Sequence, residues 1–252
     1  MSVQLRVATF NIRNSSAPDG DDSWPVRRES TAAAIFALDA HVVGLQEVLP
    51  DQLGFLRERF PRWVIAGCGR DDGVHGGEHS VVMVSPGDWQ VEAHETRWLS
   101  ASPSEPGSVG WDADLTRIAT IVRLRHADGT QVGVVNTHYD HAGEVARVES
   151  SRLLAGWTAA EPDRPWILLG DLNAEPGSAP LKALTDAGWI DAVPASEGGT
   201  EHAFTGARDG DRIDHILINK EWQVVDAAVS YYRPDGRLPS DHWPVAATLR
   251  LP

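Results

Sequence analysis

The chain has 252 residues, and its 22 lysine and arginine residues are outnumbered by 36 aspartate and glutamate residues, giving a formal net charge of −14. This acidity disfavours sequence-independent binding to nucleic-acid backbones, because that binding depends on clustered lysine and arginine. The single cysteine, Cys68, excludes an intrachain disulfide and a zinc site built from several cysteines. The sequence shows neither a signal peptide nor a transmembrane segment, so we expect a cytoplasmic protein with a single domain over residues 1–252.

Short apolar runs rich in β-branched residues predict nine strands. In chain order, they cover residues 5–10, 42–45, 80–84, 118–124, 132–135, 166–169, 213–218, 224–229 and 245–249. Apolar periodicity and capping residues predict four helices, over residues 25–38, 51–60, 143–160 and 179–187. In the third helix, the expected buried stripe consists of Val145, Val148, Leu153, Leu154 and Trp157.

Two strand–helix–strand units stand out in this order, one near the amino terminus and one near the middle of the chain. Polar residues follow their strands directly, with Asn11 and Glu47 in the first unit and His138 and Asp171 in the second. The carboxyl ends of neighbouring strands share one edge of a sheet, where ligands commonly bind. So many strands in a chain of this size favour two packed sheets with helices outside them.

Residues next to the strand-like runs offer oxygen and imidazole groups. They are Asn11, Glu47, Asn136, His138, Asp171, Asn173, Asp214, Asp241 and His242. Carboxylate and amide oxygens suit hard divalent cations such as Mg²⁺ or Mn²⁺. The sequence has no phosphate-binding loop of the nucleotidase type and no serine-hydrolase elbow, which disfavours those two enzyme classes.

Six short segments carry this polar set. They read TFNIR at 9–13, GLQEV at 44–48, NTHYDH at 136–141, GDLNA at 170–174, RIDHI at 212–216 and SDHWPV at 240–245. In this order they resemble the endonuclease/exonuclease/phosphatase superfamily, and segments 69–73, 98–100 and 110–117 are similar to its bacterial metal-dependent hydrolases. The resemblance implies an α/β fold: a four-layer sandwich of two packed mixed β-sheets flanked by helices.

The resemblance also implies a metal site and a catalytic set. Glu47 matches the main Mg²⁺ ligand, with Asn11 and Asp241 close to the ion directly or through water, and Mn²⁺ is the alternative ion. Asp171 matches the residue that holds or deprotonates the attacking water, and Asn173 matches the residue that steadies Asp171 or contacts the phosphate.

Three further matches concern the phosphate itself. Asn136 and His138 correspond to the phosphate-facing pair of the superfamily. His242 corresponds to the histidine that donates a hydrogen bond or a proton to the phosphoryl group, and Asp214 to the acid that orients it and raises its pKa. Whether Asp171 or a histidine acts as the general base stays open at this point.

Charged residues of the intervening segments are weaker candidates for substrate binding. Arg70 and Arg117 either grip the phosphate or simply form surface ion pairs, and Glu78 is a candidate partner for His138. In the superfamily, specificity lies in the loops between motifs, here 67–80, 97–117 and 194–210.

The expected activity is phosphodiester or phosphomonoester hydrolysis by in-line attack of water, without a covalent intermediate. A phosphorylated small molecule or lipid headgroup is the favoured substrate. A Mg²⁺-dependent nuclease is the alternative, which the net charge disfavours, and a non-catalytic relative is a third reading. No protein partner is predicted.

Overall fold

The structure is a computed structural model that describes residues 2–194 and 196–252. Ala195, within the predicted specificity loop 194–210, and Met1 lie outside the described residues. The strands are β1 (Gln4–Asn11), β2 (Val42–Val48), β3 (Val64–Ala66), β4 (His79–Val84), β5 (Trp89–Trp98), β6 (Ile118–His126), β7 (Gln131–His138), β8 (Trp166–Asp171), β9 (Ile190–Asp191), β10 (Asp214–Ile218), β11 (Gln223–Val229) and β12 (Val245–Arg250). The α-helices are α1 (Trp24–Ala37), α2 (Pro50–Arg59), α3 (Glu144–Ala159) and α4 (Ala179–Asp186).

The strands form two six-stranded sheets. The order is β11-β12-β1-β2-β4-β3 in the first sheet and β5-β6-β7-β8-β10-β9 in the second. Each sheet has one central parallel pair, β1–β2 or β7–β8, because each pair is joined through a helix, and its other pairings are antiparallel. Both sheets are therefore mixed, as expected.

Three apolar clusters hold the layers together. The cluster between the sheets includes Val7 and Val42 of the first sheet and Val134 and Leu169 of the second. A second cluster packs α1 and α2 on the first sheet, and a third packs α3 and α4 on the second. The predicted four-layer sandwich with two packed sheets flanked by helices is thus confirmed.

Three strands were missed by the sequence patterns. β3 and β9 have only three and two residues, too few to show a period. β5 reads WQVEAHETRW and lies at a sheet edge, where its mostly exposed or half-buried residues need no apolar run.

The predicted stripe of α3 was wrong in its phase. Val145 is 52% exposed, whereas the neighbouring Ala146 is buried. Only Leu154 of the predicted stripe is buried, while the small residue Ser150 lines the packed face. Because small residues such as Ala and Ser contribute little to a hydrophobic pattern, the sequence did not reveal which face of α3 is buried.

Within the described ranges, every helix is too short or too polar to span a membrane, and the longest, α3, has 16 residues.

Candidate active site

The predicted polar residues meet at the carboxyl ends of the central strands of both sheets. Asn11 ends β1, His138 ends β7 and Asp171 ends β8. Asp214 begins β10, whose antiparallel register places it opposite Asp171. The loop with His242 reaches the same edge because the Ser240 hydroxyl donates to the main-chain oxygen of Asn11 at 2.8 Å.

Asn11 bridges the two sheets at this edge. Its Nδ2 donates to Glu47 Oε1 and to Asp171 Oδ2, each at 2.9 Å. Its Oδ1 accepts the Arg13 amide at 2.9 Å. The fully buried Asn11 therefore fixes the spacing between a carboxylate of the first sheet and a carboxylate of the second.

Glu47 is held in its ionised form. It lies where the β2–β4 pairing is irregular and has a left-handed backbone with φ 61°, so its side chain turns toward the strand ends. Oε2 accepts the main-chain amide of Asn14 at 2.9 Å and its Nδ2 at 2.8 Å. Burial opposes ionisation, but the hydrogen bonds from Asn11 and Asn14 outweigh it and lower the pKa of Glu47.

Asp241 is a second carboxylate of the site, buried and within electrostatic reach of Glu47. Burial raises the pKa of Asp241, and the charge of Glu47 raises it further. Its Oδ1 lies 3.1 Å from the Ser240 hydroxyl, whose shorter hydrogen bond goes to the Asn11 main-chain oxygen, and Arg13 Nε lies 3.5 Å from its Oδ2. Two carboxylates whose charges disfavour each other invite a cation between them.

Asp171 lies between two imidazoles. Its Oδ1 accepts the Asn173 amide at 3.0 Å, and its Oδ2 lies 3.5 Å from His138 Nε2 and 4.0 Å from His242 Nε2. Burial and the charge of Asp214 raise the pKa of Asp171 to about 7. Near neutral pH, this carboxyl can therefore both hold and release a proton.

The two histidines are driven in opposite directions. Burial alone lowers the pKa of His242, but the charge of Asp214 and a 2.8 Å hydrogen bond from His242 Nδ1 to Asp214 Oδ2 raise it well above its ordinary value. Burial and the charge of Arg117 hold the pKa of His138 well below its ordinary value. His242 is thus an imidazolium and His138 a neutral imidazole. Asp171 therefore lies between one charged and one neutral imidazole.

The two predicted asparagines make structural contacts. Asn173, with a left-handed φ of 45°, donates from Nδ2 to the Tyr139 carbonyl at 2.9 Å and so holds the turn after β8. Asn136 is fully buried: Nδ2 donates to the carbonyls of Leu45 and Val81 at 2.9 and 2.8 Å, and Oδ1 accepts Gln46 Nε2 at 2.6 Å. Since both N–H groups of Asn136 are engaged, we interpret it as a tie between the sheets rather than a phosphate contact.

The two predicted arginines come from different sheets: Arg70 lies between β3 and β4 of the first sheet, and Arg117 directly precedes β6 of the second. Arg70 Nη1 donates to Glu78 Oε2 at 2.6 Å, so Glu78 is the partner of Arg70, and no hydrogen bond joins it to His138 within the described residues. Arg117 is 5% exposed, with its Nε 3.6 Å from Asp140 Oδ2. Arg70 also lies 3.8 Å from the exposed carboxylate of Asp71, so an ion-pairing role for Arg70 stays open, whereas Arg117 is buried.

Asn14 was missed by the sequence analysis, although it donates twice to Glu47. Its position three residues after Asn11 was the only available signal. Asp140 was also missed; its carboxylate accepts the main-chain amides of Asp114, Leu115, Ala142 and Gly143 and so organises the loops before α3.

Two groups of residues here could hold a metal ion. Ligand atoms of Asp171, Asp214 and His242 lie within 4.8 Å of one another. However, the Asp214–His242 contact is already a hydrogen bond, which favours proton handling there. The second set consists of Glu47, Asp241 and Asn11, which offer the oxygen donors that Mg²⁺ and Mn²⁺ prefer. A cation there would also reduce the repulsion between the two carboxylates, so this set fits a divalent ion better.

Residues 8–242 match the sequence profile of the Endonuclease/Exonuclease/phosphatase family. The chain belongs to this family. Members of the family are phosphoester hydrolases that generally use divalent metals, so the predicted enzyme class is confirmed. No curated protein matches the chain.

Solved structures of relatives agree with this assignment. A family protein from Bacteroides thetaiotaomicron is 31% identical, with 100% of this chain and 99% of that one covered and a TM-score of 0.94. A mannosyl-6-phosphatase from Bacteroides thetaiotaomicron VPI-5482 is also 31% identical, with coverage of 97% and 99% and a TM-score of 0.90. TDP2 from D. rerio, complexed with a single-strand DNA product, is 17% identical, with 98% of each chain covered and a TM-score of 0.77, and shares the fold.

Proposed function

We propose that this protein is a Mg²⁺- or Mn²⁺-dependent phosphoesterase acting on a phosphorylated small molecule or a lipid headgroup. The observation that carries the proposal is the arrangement around Asp171, whose Oδ2 accepts from Asn11 and lies 3.5 Å from His138 Nε2 and 4.0 Å from His242 Nε2. A carboxyl with a pKa of about 7 lies between a neutral His138 and a cationic His242, beside the carboxylates of Glu47 and Asp241. Phosphoester hydrolysis needs a base for water and positive charge for the phosphoryl group.

Asp171 is the general base in this proposal. Hydrogen bonds from Asn11 and from the Asn173 amide fix both of its oxygens, so the carboxylate is aimed before substrate arrives. Its pKa near neutrality suits proton transfer from water at physiological pH. His242 already carries its proton, which favours Asp171 over that histidine as the base.

His242 is the electrophilic partner. Asp214 accepts from Nδ1, so the opposite nitrogen, Nε2, is turned toward Asp171 with its proton available for the phosphoryl group. A divalent ion, held by Glu47 and Asp241 with Asn11 beside it, would neutralise charge on the phosphoryl oxygens. We expect water to attack phosphorus in line with the leaving group.

Two observations favour a small substrate over nucleic acid. The net charge of −14 opposes long polyanions, and the 31% identical relative is named a mannosyl-6-phosphatase. A nuclease is the second candidate because TDP2, which shares the fold, was solved with single-strand DNA.

A panel of phosphomonoesters and phosphodiesters, assayed with Mg²⁺ and with Mn²⁺, tests the proposal. Asp171→Ala serves as the blank, and the wild type should exceed it on at least one ester. A salt titration of DNA and RNA binding separates the two candidates: steep, salt-dependent affinity would support the nuclease. Equal rates for wild type and Asp171→Ala on every ester would overturn the proposal.

A further inference from the structure

Three charged side chains form a polar wall beside the proposed catalytic centre: Arg70, Glu78 and Arg117. Arg70 and Glu78 face each other across a narrow hairpin, where the Arg70 amide donates to the Glu78 carbonyl at 3.1 Å. Their side chains, 13% and 17% exposed, form the 2.6 Å ion pair described above. The wall therefore presents a guanidinium and a carboxylate in fixed positions.

Arg117 contributes unused donors to this wall. It is 5% exposed, and its Nε and Nη1 have no hydrogen-bond partner within residues 2–194 and 196–252. The carboxylate of Asp140 lies 3.6 Å away and is occupied by main-chain amides. Buried donors left without partners destabilise the fold, and the acceptors of a ligand would relieve that cost.

The polar wall adjoins both halves of the site. The pKa of Glu78 is raised by burial, and the charge of Glu47 contributes in the same direction. The charges of Arg117 and Arg70 help to lower the pKa of His138. Strand register agrees: His79, which follows Glu78, pairs with Val48, which follows Glu47, and Ala119, two residues after Arg117, pairs with Thr137, which precedes His138. The wall thus lies beside the proposed metal ligand Glu47 and beside His138.

Tight loop packing holds the wall in place. Trp98 Nε1 donates to the Arg70 carbonyl at 2.7 Å, and the Leu99 amide donates to the Arg117 carbonyl at 2.8 Å. A Cβ at Gly110 would lie 2.3 Å from the Leu99 carbonyl oxygen, so the segments leave no room for a side chain there. A binding surface fixed in this way loses little freedom when a ligand arrives.

We propose that the polar wall binds the hydroxyl groups of the leaving group, so that the substrate is a phosphorylated sugar or similar polyol. This inference rests on the phosphoesterase function proposed above. A hydroxyl can donate a hydrogen bond to a carboxylate such as Glu78 and accept one from a guanidinium such as Arg117, so a polyol suits a wall that offers both groups. A second phosphate or carboxylate in the same place would be repelled by Glu78, since the two guanidinium groups are already balanced by Glu78 and Asp140.

Selectivity between two phosphomonoesters tests the inference. Hexose 6-phosphate carries hydroxyls beside its phosphate, whereas phenyl phosphate carries none. The kcat/KM for hexose 6-phosphate divided by that for phenyl phosphate should fall by about 10-fold or more in Glu78→Gln and in Arg117→Lys. Each substitution alters a group that would bind a sugar hydroxyl, and phenyl phosphate has no hydroxyl to lose. Circular dichroism and thermal unfolding check that each variant folds.

The chain offers a matched control on β5 and β6, at the end opposite to Trp98 and Ile118. There Arg125 Nε donates to Glu92 Oε1 at 2.5 Å, an arginine–glutamate pair remote from the wall. Glu92→Gln and Arg125→Lys should leave the selectivity ratio unchanged. A fall in both kcat/KM values by the same factor in the wall variants, or no fall in their ratio, would overturn the inference.

A measurement on the wild type alone keeps the inference testable if a wall variant fails to fold. Hexose 6-phosphates that each lack one hydroxyl should include at least one with kcat/KM lowered by about 10-fold or more. If phenyl phosphate is hydrolysed but every deoxy analogue reacts as well as the parent sugar, the inference fails and the phosphoesterase function stands. If no ester is hydrolysed with either metal, both fail.

Discussion

Glu47 and Asp171 occupy equivalent places in the two sheets but differ in how they hold a proton. Each lies near the end of the second strand of a strand–helix–strand unit, and each accepts a hydrogen bond from Nδ2 of Asn11. The pKa of Glu47 is lowered, whereas that of Asp171 is raised to about 7. Burial favours the neutral form of both, so burial does not explain the difference.

The neighbours of each carboxylate explain it. Glu47 receives two additional hydrogen bonds, both from Asn14, while Asp171 faces the negative charge of Asp214. One carboxylate is thereby kept charged, as a cation ligand must be, and the other is able to exchange a proton. The same strand–helix–strand unit thus supports two chemical roles through the side chains around its final residue.

Asp171→Asn removes the proposed proton acceptor and should reduce the rate of hydrolysis more than any other substitution considered. The amide keeps the size of the side chain but cannot take a proton from water, so kcat should fall by about 10²–10⁴-fold. Additional Mg²⁺ should not restore the rate, because the metal ligands are intact. Steady-state kinetics at several Mg²⁺ concentrations measure this, and a rate that recovers with metal would contradict the assigned role.

Glu47→Gln should weaken Mg²⁺ binding, and, unlike in Asp171→Asn, additional metal should restore activity. Loss of the ionised carboxylate weakens cation binding, so the half-saturating Mg²⁺ concentration should rise by at least about 10-fold, given that outer-shell changes alone cost about 10–100-fold. The maximal rate should recover much of its value at high metal concentration. Calorimetric Mg²⁺ titration gives an independent measure.

The control for Glu47→Gln is Asp51→Asn, which alters an exposed carboxylate on the neighbouring helix α2. This variant should bind Mg²⁺ like the wild type. Unchanged metal affinity in Glu47→Gln would remove Glu47 from the proposed ligand set.

The sequence was sufficient for the parts of this comparison that depend on order along the chain. Apolar runs followed by polar residues predicted both strand–helix–strand units and a polar edge for each, and the resemblance to the superfamily placed Asn11 and Asp171 in one site. The roles of Asn14 and Asn136 could not be predicted, because each depends on which distant backbone or carboxylate lies next to the side chain. The edge strand β5 was not predicted because its mostly exposed or half-buried residues form no apolar pattern.

His202 and His242 are both buried, so they allow the effect of burial on the pKa to be separated from the effect of a charged partner. His202 stacks on Trp243 with ring centroids 4.4 Å apart, and its Nδ1 accepts the Gly206 amide at 3.2 Å. Without a carboxylate partner such as Asp214, burial and the charge of His242 lower the pKa of His202 to about 4. His242, equally buried, shifts the other way.

Because unfolded His202 binds a proton below its ordinary pKa of 6.5 and the folded residue does so only near 4, this residue should destabilise the fold as pH falls. Relative to its value above pH 6.5, the free energy of unfolding should be lower by about 3 kcal/mol at pH 4 because of this residue. Urea unfolding of wild type and His202→Asn across this range measures it. Identical pH dependence in the two proteins would show that burial of His202 does not suppress its protonation.

The close contact between Gly44 and Asn136 joins the two sheets, and a substitution there should have a modest effect on stability and rate. Gly44 lies in β2, and a Cβ there would lie 2.6 Å from Oδ1 and 2.8 Å from Cγ of Asn136 in the facing sheet. Gly44→Ala should therefore lower the free energy of unfolding by about 1–3 kcal/mol through overpacking. It should also slow hydrolysis, because β2 carries Glu47 and the facing sheet carries Asp171.

Gly54→Ala is the matched control, since a Cβ at this position in helix α2 would meet no atom within 4 Å. It should raise the free energy of unfolding by about 0.5–1 kcal/mol through helix propensity and leave hydrolysis unchanged. Urea unfolding and the phosphatase assay compare the two variants. If Gly44→Ala is destabilised yet hydrolyses at the wild-type rate, the spacing of the two carboxylates is set by Asn11 and not by the Gly44–Asn136 contact.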